Sequence, residues 1–353
     1  MLAHAVAGAL LVALQEPSVA FSFADPRIAE SSGLVVSSSG ELVYTHNDSG
    51  DEARVFAVGL DGRTRTTWTL PGVQTRDWED VARGPDEQGR SCLWLGDIGD
   101  NSASRDRGLL VHRVLEPEPT DREQADTEAP TSFRLRYPGP PRDAETLLVH
   151  PRTGRLHLVT KPLAGVAEVY AAPEVLDPDG PNALELVGRA PTRSTGTPGG
   201  PAIGPAANLL VTAGDVAPDG RRVALRTYTD VYEWTVPGDD LGAAFDGEPT
   251  VTPLPPTPQG EALGYAVDGA SVLVSTEGQG TPVHRVVLRT AEDAPAQDAA
   301  EAAPEEDAPE QNAPEQTAPD QDEPPPSRTP LLAGAAAVAA VAALLLRRRR
   351  RRG

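Results

Sequence analysis

Between residues 21 and 290, short apolar runs alternate with polar positions, and glycine, proline, aspartate or asparagine separates most of the runs. A period of two is typical of strands that bury one face. Five stretches share one arrangement, in which a polar residue opens a strand, a turn follows, and a second apolar strand returns. These stretches are residues 30–48, 77–101, 143–161, 212–227 and 259–277.

Each stretch predicts an antiparallel hairpin whose two ends lie at the same edge of a sheet. The hairpins recur about every fifty to seventy residues, and further strand-like runs between them predict roughly four strands per repeat. The pattern is typical of an all-β fold, the β-propeller. We predict five four-stranded blades, with six as the alternative because residues 183–200 are difficult to assign. Residues 19–24 are predicted to supply the outermost strand of the fifth blade and to close the ring.

The two ends of the chain depart from this pattern. Residues 1–20 are apolar and end in small residues, as a secretion signal does, although the basic start of such a signal is missing. A buried first strand is the alternative. Residues 21–290 are assigned to the propeller. Residues 291–328 repeat Ala-Pro followed by acidic or amide side chains, and this segment is predicted to form a disordered stalk because it has too little apolar surface to bury.

Residues 329–347 contain an uninterrupted run of Ala, Leu, Val and Gly, and the arginines of residues 348–353 follow at once. A bilayer needs about 17–25 apolar residues, so the run is short but sufficient if Arg347 extends its side chain to the interface. Arginine clusters stay cytoplasmic. The sequence therefore predicts a single-pass protein of the cell membrane, with an extracytoplasmic propeller raised on the stalk.

Charge and cysteine content restrict the partners. The formal net charge is −21 and the isoelectric point is about 4.6, which argues against nucleic acid as a partner and suits cations. Cys92 is the one cysteine, so no intramolecular disulfide can form, and its apolar strand predicts a core position. We expect a monomer.

The hairpins should bring many side-chain oxygens to one mouth of the central channel. Carboxylates that lie close together must protonate, pair with a base or share a cation. Ca²⁺ accepts roughly six to eight oxygen ligands in loose geometry, whereas no two histidines have the spacing of a Zn²⁺ site. The predicted metal ligands are Asp48, Asp77, Asp97, Asp100, Asn101, Asp143, Glu261 and Glu277.

Other polar residues at the same mouth suggest chemistry beyond cation binding. Glu79, Glu145 and His46 are the candidate catalytic groups, and Lys161 and Arg226 could hold a phosphate or carboxylate. The alternative is a purely structural role, because an acid that recurs in every blade can also satisfy backbone N–H groups between blades. The sequence leaves both readings open for the glutamates.

Several runs resemble the secreted bacterial propellers of the phytase-like, "esterase-like activity of phytase" group. The resemblance rests on Glu-Ser-Ser-Gly-Leu at 30–34, Asp-Trp-Glu-Asp at 77–80, Gly-Asp-Ile-Gly-Asp-Asn at 96–101, Asp-Ala-Glu at 143–145 and Gln-Gly-Glu at 259–261. It implies a Ca²⁺-binding propeller and hydrolysis of phosphate esters. The Asp-Asp-Pro-Ala segment of true calcium-dependent propeller phytases is absent, which argues against phytate as the substrate.

Three functions are therefore compared. The first is a membrane-anchored propeller that binds a ligand or a cell-envelope component through an acidic, Ca²⁺-occupied mouth. The second is a metal-dependent phosphoesterase or esterase, in which Ca²⁺ activates water. The third is a structural protein of the cell envelope. Fold resemblance alone does not establish an enzyme, so the binding function is preferred.

Overall fold

The fold is described by a computed structural model, which covers residues 16–48, 50–100, 108–161 and 165–290. Strands account for nearly all of its regular structure. They are β1 (Ser18–Ser22), β2 (Ser31–Val36), β3 (Leu42–Asn47), β4 (Arg54–Gly59), β5 (Thr64–Thr69), β6 (Trp78–Pro85), β7 (Ser91–Asp97), β8 (Leu109–Leu115), β9 (Gln124–Asp126), β10 (Thr131–Arg136), β11 (Ala144–Val149), β12 (Leu156–Thr160), β13 (Val166–Ala171), β14 (Pro181–Ala183), β15 (Glu185–Pro191), β16 (Val211–Val216), β17 (Arg222–Thr227), β18 (Asp230–Thr235), β19 (Thr250–Pro253), β20 (Ala262–Tyr265), β21 (Ser271–Ser275) and β22 (Pro282–Val287). A 3-10 turn at Gly204–Asn208 and a short helix, α1, at Leu241–Ala244 complete the elements.

These strands form five sheets, which are the five blades of a propeller. The innermost strands are β2, β6, β11, β16 and β20, and each packs against the innermost strand of the next blade until β20 meets β2. The predicted all-β propeller with five blades is thus confirmed. Residues 183–200, which made six blades an alternative, contribute β15 to the outer edge of blade three.

The ring closes through the strand that precedes the first blade. β1 pairs antiparallel with β22, so blade five consists of β20, β21, β22 and β1. Its register places Val19 opposite His284 and Phe21 opposite Val283. The prediction that residues 19–24 complete blade five is confirmed. β1 begins at Ser18, so the last residues of the predicted signal-like segment belong to this edge strand.

Two blades gain a fifth strand that the sequence did not reveal. β9 pairs in parallel with β5 of blade one, and β14 pairs in parallel with β10 of blade two. Each of these short strands comes from a connection in the following blade. Part of the connection between β8 and β10 thus covers the outer edge of blade one and protects that edge from other strands.

The inner hairpins turn at equivalent glycines, Gly40, Gly89, Gly154, Gly220 and Gly269, whose φ angles lie between 63° and 76°. Other side chains would strain this left-handed conformation, which is why the sequence marks every inner turn with glycine. Side chains on the two faces of each blade form a separate apolar cluster with each neighbouring blade. Cys92 lies 1% exposed in one of them, as its sequence context predicted.

Among the described residues, no helix is both long enough and apolar enough to span a bilayer. The predicted stalk at residues 291–328, membrane helix at 329–347 and arginine-rich tail at 348–353 lie outside the described residues, as do residues 1–15 of the predicted signal-like segment.

Candidate cation site at the channel mouth

A repeated β-bulge sets the orientation of the acidic side chains. In blade two the pairing of the first two strands shifts between Trp78 and Asp80, and in blade three it shifts between Ala144 and Thr146. The residues within these bulges are Glu79 and Glu145. Because a bulge leaves one residue unpaired and redirects its side chain, both glutamates can leave the face of the blade and turn to the channel.

The same shift occurs in blades one and four, where the equivalent residues are Ser32 and Thr212. In blade five, Ala262 pairs with Ser275 and Leu263 with Val274. The residue before this paired segment, Glu261, is therefore equivalent to Glu79. The register corrects one sequence alignment. The stretches 77–101 and 212–227 align Thr212 with Asp77, whereas the register makes Thr212 equivalent to Glu79, so the pattern of blade four is displaced by two residues. Both hydroxyls bind the backbone of the next blade, Ser32 at 2.7 Å and Thr212 at 3.0 Å.

The residues just after the second strands form the other half of the mouth. The backbone N–H of Asp48 bonds to Glu30, that of Lys161 to Asp143, and that of Glu277 to Gln259, each across the same hairpin end. Counting along the pairing gives the five equivalent positions, which are Asp48, Ile98, Lys161, Tyr228 and Glu277. Sequence reasoning missed Tyr228, because its assigned blade ended one residue earlier at Thr227.

Two groups of carboxylates lie close enough together to hold a cation. In the first, one oxygen each of Asp48, Asp77 and Glu79 lies within 4.8 Å of the others. In the second, Asp48, Glu261 and Glu277 meet the same limit. Asp48 belongs to both, so four of the predicted metal ligands lie close to one another and to the candidate catalytic residue Glu79, and together they come from blades one, two and five. We call these five residues the acidic pocket.

A glycine allows the pocket to form. A Cβ atom at Gly99 would lie 1.9 Å from Oε1 of Glu79 and 2.8 Å from Oδ2 of Asp77. A side chain at residue 99 would therefore displace both carboxylates from these positions. The backbone after β7 approaches the acids so closely only because residue 99 has no side chain.

The opposite side of the mouth holds an ion pair. The Nζ atom of Lys161 lies 2.7 Å from Oε1 of Glu145, and both side chains are nearly buried, with 11% and 5% exposure. The same Nζ lies 5.6 Å from the centre of the Tyr228 ring, within cation–π range. Lys161 and Glu145 thus lie at the mouth but engage each other first.

Burial gives these groups unusual affinities for protons. Burial and the neighbouring Glu145 and Asp48 carboxylates raise the pKa of Glu79 well above its ordinary value. Burial and Glu277 raise the pKa of Glu261 to about 8. Burial lowers the pKa of Lys161, but Glu145 and the other nearby negative groups outweigh it, so the net pKa is raised and the ammonium stays charged. A cation in the acidic pocket would relieve the repulsion that holds protons on the glutamates.

Three further predicted ligands organise the loops around the pocket. Asp97 is 2% exposed and accepts hydrogen bonds from the backbone N–H groups of Arg76, at 3.2 Å, and Asp77, at 2.9 Å. Oδ1 of Asp143 accepts a hydrogen bond of 2.6 Å from the backbone of Asp100. These contacts fix the backbone that carries Asp77 and join blades two and three. Asn101 lies outside the described residues.

His46 and Arg226 occupy equivalent positions in blades one and four, and both face the next blade. Arg226 is 1% exposed and donates to the carbonyls of Thr227, Ala262 and Ser275. His46 is fully buried, its ring lies 5.3 Å from that of Trp78, and burial lowers its pKa to about 4. Both side chains are therefore buried at the contact between two blades. Each residue lies one position before the end of its strand, and it is the strand end that reaches the mouth.

Comparisons with known proteins add little to this geometry. No family model matches the chain, and no curated protein matches it. A solved structure described as "Structure of U3-55K" is 13% identical, covers 73% of this chain and 68% of its own, and gives a TM-score of 0.31. A similarity at that level carries no information about function.

Proposed function

We propose that this chain is a propeller whose channel mouth binds Ca²⁺ and, through the bound ion, an anionic ligand or a component of the cell envelope. The observation that carries the proposal is that Asp48 belongs to two sets of three acidic residues. Within each set, one carboxylate oxygen per residue lies within 4.8 Å of the others. Glu79 and Glu261, one from each group, are only 3% and 4% exposed. Acids so close and so buried are stabilised when a cation is shared between them.

The ligand chemistry favours Ca²⁺ over other common cations. Both groups consist of carboxylates alone, without a histidine or cysteine ligand, which suits hard cations and disfavours Zn²⁺. Mg²⁺ requires near-octahedral geometry and keeps several waters, whereas Ca²⁺ tolerates irregular sets of oxygens. The resemblance to phytase-like propellers agrees with this choice of ion.

Thermal unfolding of the purified protein tests the proposal. Millimolar Ca²⁺ should raise the Tm of the native chain, since an ion at about 100 times its Kd stabilises a fold by about 2.7 kcal/mol. Asp48→Asn should abolish most of this rise, because Asp48 serves both groups. Asp61→Asn is the matched control, since Asp61 is exposed and contacts only Arg65 and the backbone N–H of Arg63 among the described residues, at a turn far from Asp48 in sequence. Equal Tm values with Ca²⁺ and with EDTA would refute the proposal.

A metal-dependent phosphoesterase is the second candidate, and the shared Asp48 is also what favours it. A carboxylate common to two groups could bridge two adjacent cations, which is the arrangement that polarises a phosphoryl group and activates water. Glu79 and Glu145 would then be the catalytic carboxylates. Hydrolysis of a generic phosphoester that is lost in Glu79→Gln, while the Tm is retained, would establish the enzyme. No turnover across a broad ester panel would leave cation-mediated binding.

We also propose a cellular location, which is based on the C-terminal sequence. We place the propeller outside the cell membrane, held by residues 329–347, because an apolar run precedes the arginine cluster. Deletion of residues 331–353 should release the protein into the medium. Retention of the truncated protein by the cells would contradict this topology.

A further inference from the structure

Lys161 has a unique place in the chain. It is the only lysine, and the other 30 of the 31 lysine and arginine residues are arginines. It also contacts one acid of the mouth directly, since its Nζ atom lies 2.7 Å from Oε1 of Glu145. Because the chain otherwise uses arginine, the single lysine raises the question of what an ammonium provides at this position that a guanidinium would not.

The two cations differ in shape. A guanidinium is planar and spreads its donors over a wide fork, whereas an ammonium is a compact point charge. Arg226 illustrates the first case, because its fork binds several backbone carbonyls between blades four and five. Lys161 instead presents one charged atom, which lies 2.7 Å from Oε1 of Glu145 and 5.6 Å from the centre of the Tyr228 ring.

The carboxylates of the mouth are divided between two kinds of countercharge. Both candidate cation groups draw their ligands from blades one, two and five. In the described residues neither group includes Glu145 of blade three, although Glu145 occupies the same bulge position as Glu79 and Glu261. The Oε1 atom of Glu145 instead lies 2.7 Å from the Lys161 ammonium.

We propose that the Lys161 ammonium takes the place of a divalent cation at the blade-three corner of the mouth, so that Lys161 sets how many cations the mouth binds. This inference rests on the proposed cation site and specifies it further. The lysine restricts added ions to the acidic pocket and leaves the blade-three corner with a permanent positive charge. If the Lys161 ammonium were removed, the negative charges of Glu145 and Asp143 would lose this positive neighbour. A further cation could then bind between the two carboxylates.

The test compares the number of Ca²⁺ ions bound per chain in the native protein and in Lys161→Met, by isothermal titration of the full-length chain. Methionine keeps most of the side-chain length and removes the charge. The variant should bind one ion more than the native protein. Its Tm should fall by several degrees in EDTA and recover in Ca²⁺, because a buried carboxylate that loses its partner is destabilising.

Two further variants separate charge from packing. Lys161→Arg keeps a positive charge and should retain the native number of ions. Arg65→Met removes an exposed charge that pairs with Asp61 near a turn, so the number of ions should again be unchanged.

The outcomes distinguish this inference from the proposal beneath it. Ca²⁺ binding by the native chain with an unchanged number in Lys161→Met overturns the role of Lys161 and leaves the cation site in place. An extra ion in Arg65→Met as well would also overturn it, since net charge alone would then explain the effect. Absence of Ca²⁺ binding in both the native chain and Lys161→Met refutes the cation site and the inference together.

Discussion

The Oδ2 atom of Asp80 in blade two accepts a hydrogen bond of 2.9 Å from the backbone nitrogen of Leu147 in blade three. Its Oδ1 atom accepts another from Val81, at 2.8 Å. Asp215 of blade four repeats the arrangement with Tyr265 of blade five, at 2.8 Å. The acids of this repeat therefore divide into two classes, since Asp80 and Asp215 join neighbouring blades while Glu79 and Glu261 face the mouth.

The first prediction concerns this junction between blades. Asp80→Ala should destabilise the protein by about 1–3 kcal/mol, because the buried N–H of Leu147 loses its acceptor. Urea unfolding followed by tryptophan fluorescence measures the change. Asp219→Ala is the matched control, since Asp219 caps an exposed turn at Arg221 and should alter stability by no more than about 0.5 kcal/mol. Equal effects of the two substitutions would contradict the junction role.

The second prediction concerns closure of the ring. Phe21 of β1 is 6% exposed and packs edge-on against Phe23 in the cluster between blades five and one. Phe21→Ala should therefore cost about 3 kcal/mol of unfolding free energy. Val19→Ala, on the same strand but 58% exposed, should cost no more than about 0.5 kcal/mol. Similar midpoints of urea unfolding for both variants would show that β1 does not close the ring.

The third prediction is a pH dependence. Burial and Glu277 raise the pKa of Glu261 to about 8, so the folded protein without cations holds a proton that the unfolded chain releases near its ordinary pKa of 4.5. The stability that this proton gives is complete below that ordinary pKa and is lost as the pH rises to about 8. A cation requires the ionised carboxylate, so the increase in Tm caused by Ca²⁺ should be larger at high pH.

Melting curves at about pH 6 and about pH 9, each with Ca²⁺ and with EDTA, measure this dependence. Glu261→Gln should remove much of the pH dependence, because glutamine does not titrate, and should weaken the Ca²⁺ effect at both values. A Ca²⁺ effect that is larger at the lower pH would contradict the assignment of Glu261.

The fourth prediction uses the single lysine as a probe. Burial lowers the pKa of Lys161, but Glu145 and the surrounding acids outweigh it and raise the pKa above the ordinary value. With ¹³C-labelled lysine, one side chain gives the NMR signal, and its Cε shift should still report an ammonium at about pH 10.5, where half of solvent-exposed lysines are neutral. Glu145→Gln should lower the midpoint. Titration of the native lysine below its ordinary pKa would contradict the ion pair.

Much of the fold follows from local signals in the sequence. Glycine turns, such as those at Gly40 and Gly89, and alternating apolar positions indicate the inner hairpins, and five repeats imply a ring. The apolar segment before the first repeat has no other partner than the incomplete fifth blade. By contrast, β9 and β14 contain three residues each and pair in parallel with distant strands, so no periodicity marks them.

The candidate site was harder to anticipate because bulges displace the register. The acids that follow a simple repeat, such as Glu79 and Glu145, could be assigned to the mouth from sequence. Because the pattern of blade four is displaced by two residues, sequence alignment places Thr212 opposite Asp77 instead of Glu79. It also leaves Tyr228 outside the repeat. The spacing of His46 and Arg226 suggests that they lie at the mouth. Each lies one residue earlier than the mouth position, and because strand side chains alternate in direction, each packs against the next blade instead.

The most direct measurement for the central claim is a crystal structure of the protein grown with Ca²⁺, with anomalous data to identify the ion. The account predicts calcium bound by Asp48 together with Asp77 and Glu79, or with Glu261 and Glu277, and the Lys161 ammonium on Glu145. A mouth that holds only water at millimolar Ca²⁺, with these carboxylates turned away from one another, would contradict it.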